Sequence, residues 1–150
     1  MKNMDILEFQ GEYRWLSNFW PAGVMLDGVA YPSVENAYQA AKTHPENRAP
    51  FQRCTSWEAK KLGRQIPVRS GWNDIKVDVM RSLIEQKFAP GTTLANKLLA
   101  TGDGAIIEGN SWGDTFWGVC RGKGENHLGK ILMAQRTALQ SHVVSTATPV

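Results

Sequence analysis

Cysteine is scarce in this chain. Its two cysteines, Cys54 and Cys120, lie far apart, with no CxxC pair and no paired histidines. That leaves no zinc-ligand spacing and predicts two buried or semi-buried free thiols. Long apolar runs are missing too. None approaches the ~20 residues of a membrane span, and Met1-Lys2-Asn3-Met4-Asp5 carries neither an apolar core nor a small-residue cleavage site. A cytoplasmic protein with no membrane association is the expectation. No block of five basic residues occurs. Seventeen Lys and Arg against fourteen Asp and Glu leave a net charge of +3, a mild excess that leans toward an anionic partner such as a phosphate or nucleotide. Internal repeats, linkers and low-complexity segments are absent, which excludes disordered, collagenous and coiled-coil classes.

What is present fits one domain. A chain of 150 residues, 42% hydrophobic and 21% charged, can bury roughly 70% of its unfolded surface and needs no disulfide or metal to fold. Six tryptophans stand out: Trp15, Trp20, Trp57, Trp72, Trp112 and Trp117. Aromatics bury large areas, so core packing accounts for most of them. Trp112 and Trp117 sit among Gly, Asn, Ser and Asp instead of Leu and Val, and fit either a core or a flat platform for a base or sugar.

The coarse pattern is short strands first, then helices. Asp27-Gly28 between Val24-Met25-Leu26 and Val29-Ala30-Tyr31 predicts a hairpin with a type I′ turn. Residues 14–21 have no clean period and read as an ordered loop. Ser33 is placed to cap a helix running to about Thr43, where His44-Pro45 stops it. A short helix is expected over 45–53. Thr55-Ser56-Trp57-Glu58 is a capping box opening a helix to about Gly63. Asn73 is placed to cap the longest helix, 74–88, with Ile75, Val79, Leu83 and Phe88 along one stripe. A further helix fits 92–100, a strand 105–108, an irregular glycine-rich segment 109–124, and a last helix 126–140. This order lacks βαβ alternation and predicts a mainly α-helical α+β domain over 1–140, with short strands near the N-terminus and around 105–120. The small polar tail, 141–150, is expected to fray.

Two segments can carry chemistry. At 100° per residue Glu35 and Lys42 fall about 20° apart on their helix, with Gln39 about 40° to the other side of Glu35. Val34, Ala37, Tyr38 and Ala41 fill the opposite side. The two charged heads are separated by roughly 10 Å along the axis, too far for a helical ion pair but enough to admit a sugar-sized ligand. The same face also fits a solvated helix surface. The second segment is Glu108-Gly109-Asn110-Ser111-Trp112-Gly113-Asp114-Thr115-Phe116-Trp117-Gly118, followed by Arg121-Gly122-Lys123-Gly124-Glu125-Asn126 at the start of the last helix. It sets a lone carboxylate between two indoles, and glycines with basic groups at a helix N-terminus suit an anion. An ordinary loop accounts for it equally well. Neither a P-loop nor a dinucleotide fingerprint is present. The three histidines, His44, His127 and His142, form no metal pattern, and no Ser-His-Asp or Cys-His arrangement follows from spacing.

In order, Leu16-Ser17-Asn18-Phe19, Ser33-Val34-Glu35 with Tyr38-Gln39 and Lys42, Leu62-Gly63-Arg64, Trp72, Lys87-Phe88, Leu98-Leu99-Ala100-Thr101-Gly102, Ile107-Glu108, Asp114 with Trp117-Gly118, Gly124 with Asn126, Leu128-Gly129, and Leu132-Met133 with Arg136 resemble the NADAR/YbiA-like N-glycosidase family. The resemblance runs from about Phe9 to Leu139. No one motif is specific, whereas their order and spacing together are. After Trp117-Gly118 the chain departs from the family's usual glycine or acidic residue and continues Val119-Cys120-Arg121.

The resemblance implies a small enzyme that hydrolyses N-glycosidic bonds without metal or cofactor and without an obligatory protein partner. Its substrate would be a small-molecule N-glycoside with a phosphorylated ribose, such as the phosphoribosylamino-pyrimidine intermediates of riboflavin synthesis, or ADP-ribosylated guanine in DNA. It also implies roles: Lys42 as a Schiff-base nucleophile, Glu35 as proton shuttle, and Asp114 acting on water or a ribose hydroxyl. Trp72 and Trp117 would stack on the heterocycle, with Asn18, Phe19, Gly118 and Asn126 as further substrate contacts. Direct attack by water with Glu35 as base, Lys42 only neutralising charge, is the rival route. A binding module for ADP-ribose or a modified base, without turnover, is the rival class.

Overall fold

The hairpin sits where Asp27-Gly28 predicts it. In the computed structural model, which describes residues 4–147, β1 (Pro21–Leu26) pairs antiparallel with β2 (Val29–Ser33), Val24 opposite Tyr31 and Leu26 opposite Val29. Asp27 and Gly28 have φ of 49° and 79°, the positive values a type I′ turn requires. The chain is mainly helical with a few short strands, the α+β class expected. It forms two compact units, Trp15–Lys87 and the remainder.

In the first unit, α1 (Val34–Lys42) begins where the Ser33 side chain accepts from the Asn36 N–H, and ends at an extended Thr43. Its last carbonyls are satisfied by Arg48, whose Nε donates to Ala40 O at 2.9 Å and whose Nη2 donates to Thr43 O at 3.3 Å. Nη1 of the same guanidinium meets the Asp27 carboxylate at 2.7 Å. Between Pro45 and Gln52 the expected helix is replaced by two 3-10 turns, Pro45–Asn47 and Ala49–Gln52. Pro45 is tolerated at a first helical position, but Pro50 falls inside the expected span, where it lacks a backbone donor and clashes with the preceding turn, so one continuous α-helix cannot form there. The Thr55/Glu58 capping box opens α2 (Ser56–Gly63) as predicted. α3 (Trp72–Lys87) starts before Asn73, not after it. Gly71, at φ 77°, makes the turn, and burial of Trp72 in the first helical turn outweighs the capping preference of Asn73. Met80, Leu83, Ile84 and Lys87 are its other buried residues, and Ile75 and Val79 are half-buried.

In the second unit, the strand expected at 105–108 is reduced to a parallel bridge between Ile6 and Ile106. Ile6 N–H donates to Ala105 O and Ile107 N–H to Ile6 O, both at 2.8 Å. α4 (Thr93–Ala100) is capped by Thr92. The glycine-rich segment contains a short parallel pair, β3 (Gly109–Asn110) beside β4 (Val119–Cys120). α5 (His127–Ala147) starts after Asn126, whose φ of 54° is not helical, and it continues past the expected end near 140. Ser141 to Ala147 contains neither Gly nor Pro, so nothing in the chain stops it. The final tail residues, 148–150, lie outside the described residues. Phe88, Leu98, Ile106, Leu128, Leu132 and Leu139 are buried in this unit. Both cysteines are free, Cys120 buried and Cys54 half-buried.

Candidate active site

The polar face of α1 is not solvated. Glu35 is 8% exposed and Gln39 7%, and every residue from Val34 to Ala41 is buried. A carboxylate removed from water needs hydrogen bonds, and Gln39 supplies one, its Nε2 donating to Glu35 Oε2 at 2.8 Å. The i, i+4 spacing makes this reach natural. The Glu35 backbone N–H donates to Asn18 O at 3.0 Å, which ties the helix start to the preceding loop.

Lys42, half-buried, ends the same face. Burial pushes its amine below the ordinary lysine value, the Glu35 charge opposes that, and the Arg64 charge adds to it. A lysine brought toward neutrality is a competent nucleophile. Arg64 follows α2 directly and forms no ion pair among the described residues. The Arg69 N–H donates to Lys42 O at 2.9 Å, so the segment after α2 runs against the end of α1.

The loop before the hairpin brings Asn18 and Phe19 into this unit. Asn18 Nδ2 reaches Met80 Sδ at 3.6 Å, and its buried Oδ1 has no hydrogen-bond partner among the described residues. Phe19 O accepts from Ser56 Oγ at 3.0 Å, and Lys60 Nζ lies 5.8 Å from its ring centre. The loop is pinned from α3: Lys87 Nζ donates to Ser17 O at 2.7 Å. Trp72 is 6% exposed and packs on Tyr38 with ring centres 5.3 Å apart, so its indole walls α1.

Asp114, Trp117, Gly118 and Asn126 belong to the other unit. Asp114 Oδ1 accepts from the N–H groups of Phe116 and Trp117 at 3.1 and 2.9 Å. Asn110 braces the same turn, accepting from Asp114 N–H at 3.0 Å and donating to Asp114 O at 2.9 Å. Trp117 is half-buried, edge-on to Phe116 at 4.8 Å. Gly118 lets two backbones meet, since a Cβ there would fall 2.1 Å from Glu108 O. Both ends of the Asn126 amide are engaged: Oδ1 accepts from Glu108 N–H and Nδ2 donates to Ile106 O, each at 3.0 Å. Trp112, 56% exposed, lines a cleft of about 450 Å³ with Leu7, Glu8, Asn110 and Arg121.

Residues 7–140 match the NADAR domain model. The chain belongs to the NADAR domain family. It is 36% identical over 135 residues to N-glycosidase YbiA of Escherichia coli, covering 85% of this chain and 82% of that protein. An N-glycosidase of Nostoc punctiforme is 35% identical over 137 residues, covering 86% and 87%. A riboflavin biosynthesis protein of Vibrio vulnificus is 39% identical over 135 residues, 87% of this chain but 36% of that longer protein. The chain therefore spans about a third of that relative. The NMR structure of E. coli YbiA matches with a TM-score of 0.82 at 29% identity, covering 100% of this chain and 92% of the other. Among the described residues of this NADAR domain, no helix is long and apolar enough to cross a membrane.

Sequence reasoning placed Glu35, Lys42, Asn18, Phe19 and Trp72, and the structure brings all five into one unit. It assigned no role to Gly63, Arg64 or Lys87. Leu62-Gly63-Arg64 was visible as a motif, but a glycine and arginine at a helix end read as an ordinary terminus.

Proposed function

We propose that this NADAR protein is an N-glycosidase that separates an amine-linked heterocycle from a phosphorylated ribose. The observation that carries the reading is the α1 face: a buried carboxylate held by an amide, on the same helix as a half-buried lysine whose amine is shifted toward neutrality. Glu35, ionised in the resting site, takes the proton of the Lys42 ammonium and passes it to the ribose ring oxygen, and the nitrogen lone pair opens C1 to an imine. Neutral Lys42 adds to C1. The heterocyclic amine leaves with a proton, and the lysine remains joined to C1 as an iminium. Water adds to that carbon, the carbinolamine collapses, and the sugar aldehyde departs as the amine is restored.

Arg64 supplies positive charge for the phosphate. Asn18 and Phe19 contact the sugar or base, and Trp72 walls the helix they adjoin. Asp114, acting on water or a ribose hydroxyl, and Trp117, stacking on the heterocycle, are assigned from the family resemblance. Gly118 and Asn126 serve by shaping that loop. The preferred substrate is a phosphoribosylamino-pyrimidine, a choice supported by the riboflavin biosynthesis relative. ADP-ribosylated guanine, free or in DNA, presents the same linkage and anionic ribose and forms the comparison arm. A phosphorylated metabolite as substrate supports a cytoplasmic location.

The test is product release from each substrate, with wild type and Glu35→Gln. Wild type should free ribose 5-phosphate from the pyrimidine substrate. Free ADP-ribose instead would move the assignment to the guanine adduct. Glu35→Gln should lose roughly a thousandfold in kcat while ligand affinity holds. A wild type that binds either compound but releases no sugar would make this a binding module.

A further inference from the structure

Gly63 occupies a helical position at the end of α2, with no positive φ to require glycine. Glycine there is a poorer helix former than alanine, so some other feature must account for it. The neighbouring side chain supplies one. A Cβ at Gly63 would fall 2.0 Å from Gln39 Oε1 and 2.8 Å from Gln39 Cδ. Gln39 cannot simply turn away, because its orientation is dictated from the other side. An ionised carboxylate only accepts, so Nε2 must face Glu35 Oε2. Oε1 is then directed at Gly63, buried and without a hydrogen-bond partner among the described residues.

We infer that Gln39 is the residue that positions Glu35, and that residue 63 is glycine because the Gln39 amide occupies the space a side chain would take. The inference rests on Glu35 being the reacting carboxylate, and it names a positioning pair on two elements, α1 and α2, for that group. Leaving Oε1 unbonded costs free energy. The cost is accepted because the alternative, a flipped amide, would set oxygen against oxygen at Glu35.

The charged groups tied to this pair are Lys42 on α1, which feels the Glu35 charge, and Arg64 after α2, which acts on Lys42 in turn. Neither changes in the variants used to test it. These are Gln39→Ala, Gly63→Ala and the double variant, compared with wild type in the assay above. Each single variant should lower kcat about tenfold to a hundredfold with KM within about twofold. The double variant should match Gln39→Ala, because without the amide a methyl at residue 63 has room. Thermal melting should show the same pattern. Gly63→Ala should lower Tm in the wild-type background and should not lower it when Gln39 is already alanine.

Titration of the Glu35 carboxyl by ¹³C NMR gives a readout that needs no substrate. Losing the amide donor should raise the midpoint by about one pH unit in both single variants, with no further rise in the double. Wild-type kcat in Gly63→Ala, losses that multiply in the double variant, or an unmoved Glu35 titration would each overturn the inference. Absence of turnover by wild type would refute the N-glycosidase reading alone, and the melting and titration cycles would still decide the positioning role.

Discussion

Lys87 should make the stability of this protein rise with pH above neutrality. Its side chain is 3% exposed, its ammonium donates to Ser17 O at 2.7 Å, and burial lowers its pKa from 10.5 to about 7. Between those two values the unfolded chain holds the lysine proton and the folded chain does not. Unfolding then takes up a proton, so raising the pH favours the folded state. Below about pH 6 both states are protonated and the contribution is flat. Integrating between pH 7 and pH 9 gives about 2 kcal/mol gained by the folded protein from this one group. Lys87→Met keeps most of the packing and removes the titration. It leaves Ser17 O without that donor, at a cost of about 1–3 kcal/mol that does not depend on pH. Urea melts of both proteins at pH 6, 7 and 9 give the stability difference directly. Other groups, including Lys42 and Cys54, titrate in both proteins and cancel in the comparison. Wild type should gain about 2 kcal/mol on the variant from pH 7 to 9. A difference that stays constant with pH would refute the reasoning.

Two further outcomes follow from the same geometry. Arg64→Met removes a charge that lowers the Lys42 pKa, so the rise of kcat with pH should move to higher pH and KM for the phosphorylated substrate should increase; a pH–rate profile with an unchanged midpoint would contradict this. Gly118→Ala places a methyl against the rigid Glu108 carbonyl and should cost about 1–3 kcal/mol of stability, measured by denaturant unfolding.

Local signals in the chain were readable where local chemistry decides the outcome. Asp27-Gly28, the Ser33 cap and the Thr55/Glu58 box each formed as written, because a turn or cap is settled within four residues. The start of α3 was misplaced by the same logic: Asn73 is a good cap, but burial of Trp72 is a tertiary effect. Pro50 interrupts the short helix expected over 45–53. α5 runs on past 140 because small polar residues do not themselves end a helix. For the site, periodicity aligns Glu35, Gln39 and Lys42 but by itself favours a solvated face. Only packing shows that this face is buried. Lys87 gave no sign of its burial, since a lysine in the last turn of a helix is ordinary. Gly63 gave none of its contact with Gln39, which links residues on different helices.

The most direct test of the proposed chemistry is reductive trapping on Lys42. Wild type is incubated with the phosphoribosylamino-pyrimidine and, separately, with ADP-ribosylated guanosine, each with cyanoborohydride, followed by peptide mass spectrometry. The account predicts turnover of at least one substrate and a stable sugar adduct on the Lys42 peptide, lost in Lys42→Met. Full turnover with no adduct on Lys42 would contradict the Schiff-base route and leave direct attack by water, with Glu35 as base and Lys42 only neutralising charge.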